Sequence, residues 1–324
     1  MKRKIRIGIV GYGNLGQGAE KAVLQSADLE LAAVFSRRAL KSTKSGAPVL
    51  AIAQSAEYQD KIDVLLLCGG SATDLPEQGP KFAAMFHTVD SFDTHAKIPA
   101  YYQAVDEAAR RAGKVAAISV GWDPGLFSLN RLLSGVVLPQ GQNYTFWGAG
   151  VSQGHSDAVR RLAGVLDAKQ YTIPREEYIR AARAGEKPVP SEKSHWRDCY
   201  VVAAAGADLA AIEQEIKTMP NYFAGYQTKV TFVSEEEFRQ NHVQMPHGGF
   251  IIRSGETSPE KKHTIEFALK LDSNPEFTGS VLAAYARAVF RLAQDGKSGA
   301  FTVFDIAFGL LSPEEPAELR RKLL

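Results

Sequence analysis

The sequence predicts an α/β protein in which a doubly wound Rossmann-type domain is followed by an α+β domain. Three observations carry this. Apolar, β-branched runs alternate with helix-spaced segments up to about residue 120. A G-x-G-x-x-G pattern stands at the first strand-to-helix junction. Beyond residue 121 the texture changes to residues that alternate between apolar and polar.

Residues 5–10 form the first apolar run and end at Gly11; Leu15, Ala19, Ala22 and Val23 then recur at helical spacing. Residues 29–35, 63–68, 88–90 and 115–119 supply further strands. Each is mainly apolar, as strands of a parallel sheet covered on both faces are. Residues 76–86 and 100–112 connect them with helical spacing. In the second part, residues 263–272 alternate apolar with polar residues, and residues 226–233 do so more loosely. With 143–147 and 250–252 they are expected to be half-buried antiparallel strands. Residues 209–219 and 278–292 read as helices packed on that sheet, and 301–311 as helix-like. Residues 182–195, with Gly185, two prolines and several charges, read as an exposed loop. The expected division is 1–120 and 121–298, with 299–324 packing back onto the first domain.

A chain of 324 residues fits two domains and can bury a large core. Its 38 basic and 36 acidic residues leave a net charge of +2, too balanced for a nucleic acid or an anionic membrane to be held through bulk charge. A small molecule is the expected partner. Two cysteines, Cys68 and Cys199, suit a reducing compartment, so a cytoplasmic location is expected. Met1-Lys2-Arg3-Lys4 is basic, but the apolar run behind it breaks at Gly11 and reads as a strand, not a signal peptide. No apolar run is long enough to cross a bilayer.

Gly11-Tyr12-Gly13-Asn14-Leu15-Gly16 has the context that makes its pattern informative, since it follows a strand and opens a helix. The first glycine permits the turn, the second lets a pyrophosphate approach the backbone, and the third lets helix and strand pack closely. Where an NAD site usually carries an acidic residue, at the end of the second strand, this chain has Ser36-Arg37-Arg38. A hydroxyl and two guanidinium groups suit a 2′-phosphate, so the expected cofactor is NADP. Cys68-Gly69-Gly70-Ser71-Ala72-Thr73 leaves the third strand at the ligand-binding edge of such a sheet, where small residues let the cofactor lie close. Cys68, with no base or helix N-terminus evident beside it, reads as a small buried side chain.

Asp90-Ser91-Phe92-Asp93 and Gly121-Trp122-Asp123-Pro124-Gly125 leave the fourth and fifth strands, so two carboxylates are expected at one sheet edge, where they would suit an ammonium group. For a single aspartate, capping or turn formation is the favoured account. Ser91, Phe92, Gly121, Trp122 and Pro124 in these loops are expected to touch the cofactor. Trp147-Gly148-Ala149-Gly150 leads to the polar stretch Ser152-Gln153-Gly154-His155-Ser156-Asp157, which helix capping explains only in part. His155 alone reads as a satisfied structural histidine. Thr172, Arg197 and His247 could form a carboxylate pocket if the fold brings them together. His195 and Cys199 lack a second ligand pair for a metal, and no G-x-S-x-G elbow supports a hydrolase.

Taken together, Val10 to Gly16, Phe35-Ser36-Arg37-Arg38, Gly70-Ser71-Ala72-Thr73-Asp74, the Gly121 to Gly125 loop, Trp147-Gly148, the Ser152 to Asp157 run, Met245-Pro246-His247-Gly248-Gly249 and Leu271-Asp272-Ser273-Asn274-Pro275 resemble the meso-diaminopimelate dehydrogenases. The likeness runs nearly end to end; residues 182–195 and the last dozen carry no motif of the family. It implies a homodimer that deaminates the D-centre of meso-2,6-diaminopimelate with NADP, giving L-2-amino-6-oxopimelate and ammonia. It makes 1–120 the NADP-binding domain and 121–298 the substrate-binding and dimerisation domain. It further implies that Asp93, Asp123, Trp147, Gln153, Gly154 and Asp157 surround the D-centre, with Asp93 and Asp123 the catalytic candidates and Trp122 a further substrate contact. Thr172, Arg197, His247 and Asn274 would hold the distal L-centre. Two other readings remain: a different two-domain NADP reductase, such as a dihydrodipicolinate reductase or an amino-acid semialdehyde dehydrogenase, and a non-catalytic NADP(H) sensor. The carboxylate pair and Arg197 separate these from the first.

Overall fold

The computed structural model describes residues 3–38 and 42–324; Met1 and Lys2 of the basic N-terminal run lie outside them. In chain order the first elements are β1 (Ile5–Val10), α1 (Asn14–Leu24), β2 (Leu29–Ser36), β3 (Val49–Ala51), β4 (Val64–Leu67), α2 (Leu75–Ala83), β5 (Thr88–Asp90), α3 (Ile98–Ala112), β6 (Val115–Ala117) and α4 (Leu126–Val137). Then follow β7 (Gln140–Trp147), β8 (Gly150–Val151), α5 (Gln153–Arg160), β9 (Val165–Pro174), α6 (Glu176–Arg183), α7 (Ser191–Ser194), β10 (His195–Ala203), α8 (Leu209–Thr218), β11 (Gln227–Phe232) and α9 (Glu235–Asn241). The last are β12 (His247–Ser258), β13 (Lys261–Leu271), α10 (Asn274–Gln294), β14 (Gly299–Phe301) and α11 (Pro316–Leu323).

The chain divides into two units, Met1–Leu129 with Pro275–Leu324, and Asn130–Asn274. The first holds a seven-stranded sheet in the order β14-β6-β5-β4-β1-β2-β3, with every pairing parallel. The strand order reverses at β1 and β4, which puts their carboxyl ends at the ligand-binding switch point of a doubly wound sheet. Alternate side chains feed two cores. Ile5, Ile7, Ile9 and Leu66 pack with Val281, Leu282, Tyr285 and Val289 of α10, while Leu65 and Leu67 pack with Phe82 of α2 and Val105 of α3.

Three expectations change here. Residues 275–298, assigned to the second domain, belong to the first unit, because α10 buries its apolar face on that unit's sheet. Its close approach to α1 needs glycine on both sides: a Cβ on Gly18 would lie 2.5 Å from the Pro275 carbonyl oxygen, and one on Gly279 would lie 2.4 Å from the Ala19 nitrogen. Residues 301–311 are not a helix. Residues 299–301 form β14, which pairs with β6, and 308–311 form a single 3-10 turn. The sheet also gains β3, a strand the sequence reading did not include.

The second unit holds a four-stranded sheet, β11-β10-β9-β8, and a three-stranded sheet, β13-β12-β7. The β12–β13, β12–β7, β9–β10 and β8–β9 pairs are antiparallel. The expectation of antiparallel strands fails for residues 226–233, since β11 runs parallel to β10. Helix α8 connects the two as a crossover, and a crossover returns the chain in the same direction. Within 182–195, residues 183–190 are exposed, but Ser194 and His195 are buried where β10 begins, so the loop is shorter than its composition suggested.

Candidate functional site

In the first unit the glycine loop follows β1. Gly11 has φ +88°, and a Cβ there would lie 2.9 Å from the Cys68 carbonyl oxygen, so the turn admits no side chain. A Cβ on Gly16 would lie 2.1 Å from the Gly11 carbonyl oxygen, which is the close helix-to-strand packing expected of the third glycine. Around Gly13, apart from its chain neighbours, no described residue comes within 4 Å of the Cβ position. Gly13 is also the N-cap of α1, contributes no capping side chain, and is followed by a first turn without acidic residues. The helix N-terminus thus offers N–H groups and a positive dipole end to an anion. This cradle fits a dinucleotide pyrophosphate.

At the end of β2, Ser36 is buried and its Oγ accepts the Arg38 N–H at 3.0 Å. Arg37 Nη2 pairs with Asp74 Oδ2 at 3.0 Å, and the same oxygen accepts the Gly70 N–H at 2.9 Å. The carboxyl ends of β2 and β4 are therefore tied through Asp74. Both arginines are exposed and no acidic residue follows β2 in Ser36-Arg37-Arg38, a donor set that suits a 2′-phosphate. Burial pushes the Cys68 thiol up to about 12, which keeps it protonated and excludes a thiolate nucleophile.

The two acidic loops are organised by Asp90, whose role is not evident from the sequence. It is buried and accepts the Tyr101 hydroxyl at 2.7 Å, the Phe92 N–H at 2.9 Å and the Ser119 N–H at 3.0 Å. One carboxylate thus fixes the backbone after β5 and after β6. Phe92 stacks on Tyr101 with ring centroids 4.1 Å apart, and the Asp93 N–H donates to Ser71 Oγ at 2.9 Å, joining the β4 and β5 loops. Trp122 and Gly125 close the turn that carries Asp123 and Pro124; a Cβ on Gly125 would lie 1.9 Å from the Gly121 carbonyl oxygen. Asp93 is exposed, Asp123 is half-buried, and they stand on the carboxyl ends of adjacent strands.

In the second unit the register of β9 and β10 sets Thr172 opposite Arg197, and the Arg197 guanidinium donates to the Thr172 hydroxyl. Arg197 is buried, lies 4.0 Å over the Tyr226 ring, and its Nε has no hydrogen-bond partner. Gly150 pairs with Thr172 in β8–β9 and also packs on His247, where a Cβ would lie 2.5 Å from the His247 Cα. The structure therefore brings Thr172, Arg197 and His247 together. The Asn274 N–H donates to the Met245 carbonyl at 3.1 Å, which holds Asn274 beside the same loop. Among the described residues, no three His, Cys, Asp or Glu side chains gather as a metal group.

Trp147, on β7, is positioned by His195, whose Nε2 accepts the Trp147 N–H at 3.0 Å while Nδ1 lies 3.0 Å from Ser194 Oγ. Burial lowers His195 to about 4 and keeps it neutral. Gln153, Gly154 and Asp157 share the exposed side of α5, and Asp157 pairs with Arg160. His155 lies 2.6 Å from Ser152 Oγ and packs edge-on to Phe223; burial lowers it to about 4, so it serves as a structural group.

A family model of the diaminopimelic acid dehydrogenase C-terminal domain matches residues 121–273. The meso-diaminopimelate D-dehydrogenase of Ureibacillus thermosphaericus is 62% identical over 324 residues, covering 99% of each chain. The chain belongs to the meso-diaminopimelate D-dehydrogenase family. Among solved structures, Corynebacterium glutamicum DAP dehydrogenase in complex with DAP superposes with TM-score 0.94 at 49% identity, covering all of both chains. An engineered D-amino acid dehydrogenase bound to NADP+ superposes with TM-score 0.90 at 48% identity, covering 99% of this chain and 100% of the other. Membership in this family explains a fold that combines a doubly wound sheet with a separate sheet-bearing unit. Among the described residues, no helix is long and apolar enough to cross a membrane.

Three residues of these sites escaped the sequence reading. Tyr226 had no signal, because a tyrosine at the edge of a weakly alternating strand looks like any surface aromatic. Asp90 and Tyr101 were hidden because a buried hydrogen-bonded pair and a solvated one look alike in sequence.

Proposed function

We propose that this chain catalyses the NADP-dependent, reversible oxidative deamination of the D-centre of meso-2,6-diaminopimelate to L-2-amino-6-oxopimelate and ammonia. The carrying observation is the buried Arg197 guanidinium beside Thr172, with a donor still unpaired. A buried cation with spare donors suits a carboxylate that stays remote from the reacting centre. The names of the relatives support the substrate. Ser36-Arg37-Arg38, and the NADP+ bound by the engineered D-amino acid dehydrogenase, support NADP.

In the proposed site, Gly11 to Gly16, Ser36 to Arg38, Cys68 to Thr73, Ser91, Phe92, Gly121, Trp122 and Pro124 hold the cofactor. Asp93, Trp122, Asp123, Trp147, Gln153, Gly154 and Asp157 address the D-centre, and Thr172, Arg197, His247 and Asn274 the L-centre. Bound NADP+ would supply the hydride acceptor. Asp123 orients the D-amine and relays the proton that leaves it as the Cα–H bond breaks. Water then adds to the substrate imine, and ammonia departs. We further propose a homodimer working in the cytoplasm; light scattering should return twice the chain mass.

The deciding experiment is an NADP+ reduction assay with meso-diaminopimelate, its LL isomer, D-lysine and D-alanine. Activity confined to the meso isomer is expected. No turnover of any of the four would sink the proposal.

A further inference from the structure

Helix α1 carries a carboxylate that the proposed chemistry does not use. Glu20 is fully buried, and an ionised group there is costly unless its oxygens are paired. Both are: Oε1 accepts the Ser45 N–H at 2.8 Å, and Oε2 accepts the hydroxyl of Tyr12, the residue between the first two glycines of the loop. Burial and this bond push the Tyr12 phenol up to about 12, so it remains a donor at any physiological pH.

Ser45 belongs to a bonded turn. Its Oγ accepts the Ala47 N–H at 3.2 Å, Thr43 Oγ1 donates to the Ala47 carbonyl at 2.8 Å, and the Pro48 carbonyl accepts the Val34 N–H of β2 at 2.9 Å. Glu20 therefore ties the glycine loop to the turn at residues 43–48, which is bonded back to β2 at Val34. Long exposed arginine side chains lose entropy when they close on a phosphate, and a fixed backbone beneath them reduces what remains to be ordered.

We propose that Glu20 is a positioning residue for the cofactor, holding the turn at residues 43–48 against the glycine loop and thereby setting affinity for the 2′-phosphate end of NADP. This rests on the NADP reading above. A glutamine keeps both bonds, accepting from Ser45 and donating to the Tyr12 oxygen, whereas an aspartate is one methylene too short to reach both.

The test compares Glu20→Asp and Glu20→Gln by steady-state kinetics and by titration of NADP+ and NAD+ into the protein. Glu20→Asp should raise the Kd and KM for NADP+ at least about fivefold and narrow the preference over NAD+, while kcat and the KM for the amino-acid substrate at saturating NADP+ stay within about twofold. Glu20→Gln should restore wild-type values. If Glu20→Asp does not fold, Tyr12→Phe, which removes one bond without a void, should raise the NADP+ Kd about threefold. An unchanged NADP+ Kd in Glu20→Asp or, where that variant does not fold, in Tyr12→Phe, a parallel loss in kcat and both KM values, or a Glu20→Gln as weak as Glu20→Asp would overturn the proposal. A wild-type protein that binds NAD+ more tightly would instead overturn the NADP reading itself.

Discussion

Replacing Arg197 with methionine separates the proposed substrate from every amino acid that lacks a distal carboxylate. Methionine fills most of the arginine volume but removes the guanidinium that stacks on Tyr226 and donates to Thr172. Hydrogen bonds to a charged group contribute about 1.5–3 kcal/mol each, so loss of a bidentate grip should cost at least about 3 kcal/mol, or roughly 100-fold in kcat/KM for meso-diaminopimelate. Stability should not fall with it. Arg197 is buried with an unpaired Nε, and the Thr172 hydroxyl keeps a second partner in Gln170 Nε2 at 3.3 Å. The assay is kcat/KM for meso-diaminopimelate and for D-alanine, with the Kd of NADP+ and the melting temperature as controls. D-Alanine turnover and NADP+ affinity should stay within about threefold of wild type. Equal losses for both amino acids would show that Arg197 supports the fold or the D-centre, and the distal-carboxylate assignment would fail.

Asp123→Asn should lower kcat at least about tenfold with little change in NADP+ affinity, and near-wild-type turnover would remove Asp123 from the mechanism. Lys169 Nζ donates to the Gln244 carbonyl at 3.1 Å and the Val243 carbonyl at 3.4 Å, just ahead of Met245-Pro246-His247. Lys169→Met should therefore cost about 1–3 kcal/mol of stability and raise the KM for diaminopimelate with NADP+ affinity unchanged; an unaltered KM would count against that anchoring. His195 is held at about 4 against an ordinary value of 6.5, so the unfolded chain binds a proton that the folded chain refuses. Its contribution is full above about pH 6.5 and is lost as pH falls towards 4, by about 3 kcal/mol in all. Urea unfolding across that range should show a slope to which His87 and His155, also held at about 4, contribute as well, and His195→Gln should reduce it by the share of one proton; an equal slope in the variant would refute the assignment.

What could be read from the sequence was whatever is local. The glycine loop spans six residues whose backbone demands are met within one β-α unit, and Ser36-Arg37-Arg38 lies at a fixed place after the second strand. What escaped depended on partners distant in the chain. Arg197 and Thr172 were named, but their meeting depends on the β9–β10 register. The placement of residues 275–298 depends on which sheet α10 covers, and amphipathic spacing does not say. Glu20 stands on a helix where a lone charged residue normally marks the solvent side, yet Ser45 and Tyr12 reach it from two loops and bury it.

The proposed distal site also shows how burial selects which groups carry charge. Arg197, His155 and His195 lie in the second unit, and the positive charge of Arg197 adds to burial in lowering both histidines to about 4. Burial alone lowers His247. Arginine keeps its proton even when desolvated, because its starting value is so high, while a buried imidazole loses its own. At neutral pH the residues proposed for the distal site therefore combine the Arg197 cation with neutral imidazoles, which serve as donors or acceptors. That is the balance a single carboxylate requires, since a second fixed positive charge would favour anions at large over a zwitterionic amino-acid centre.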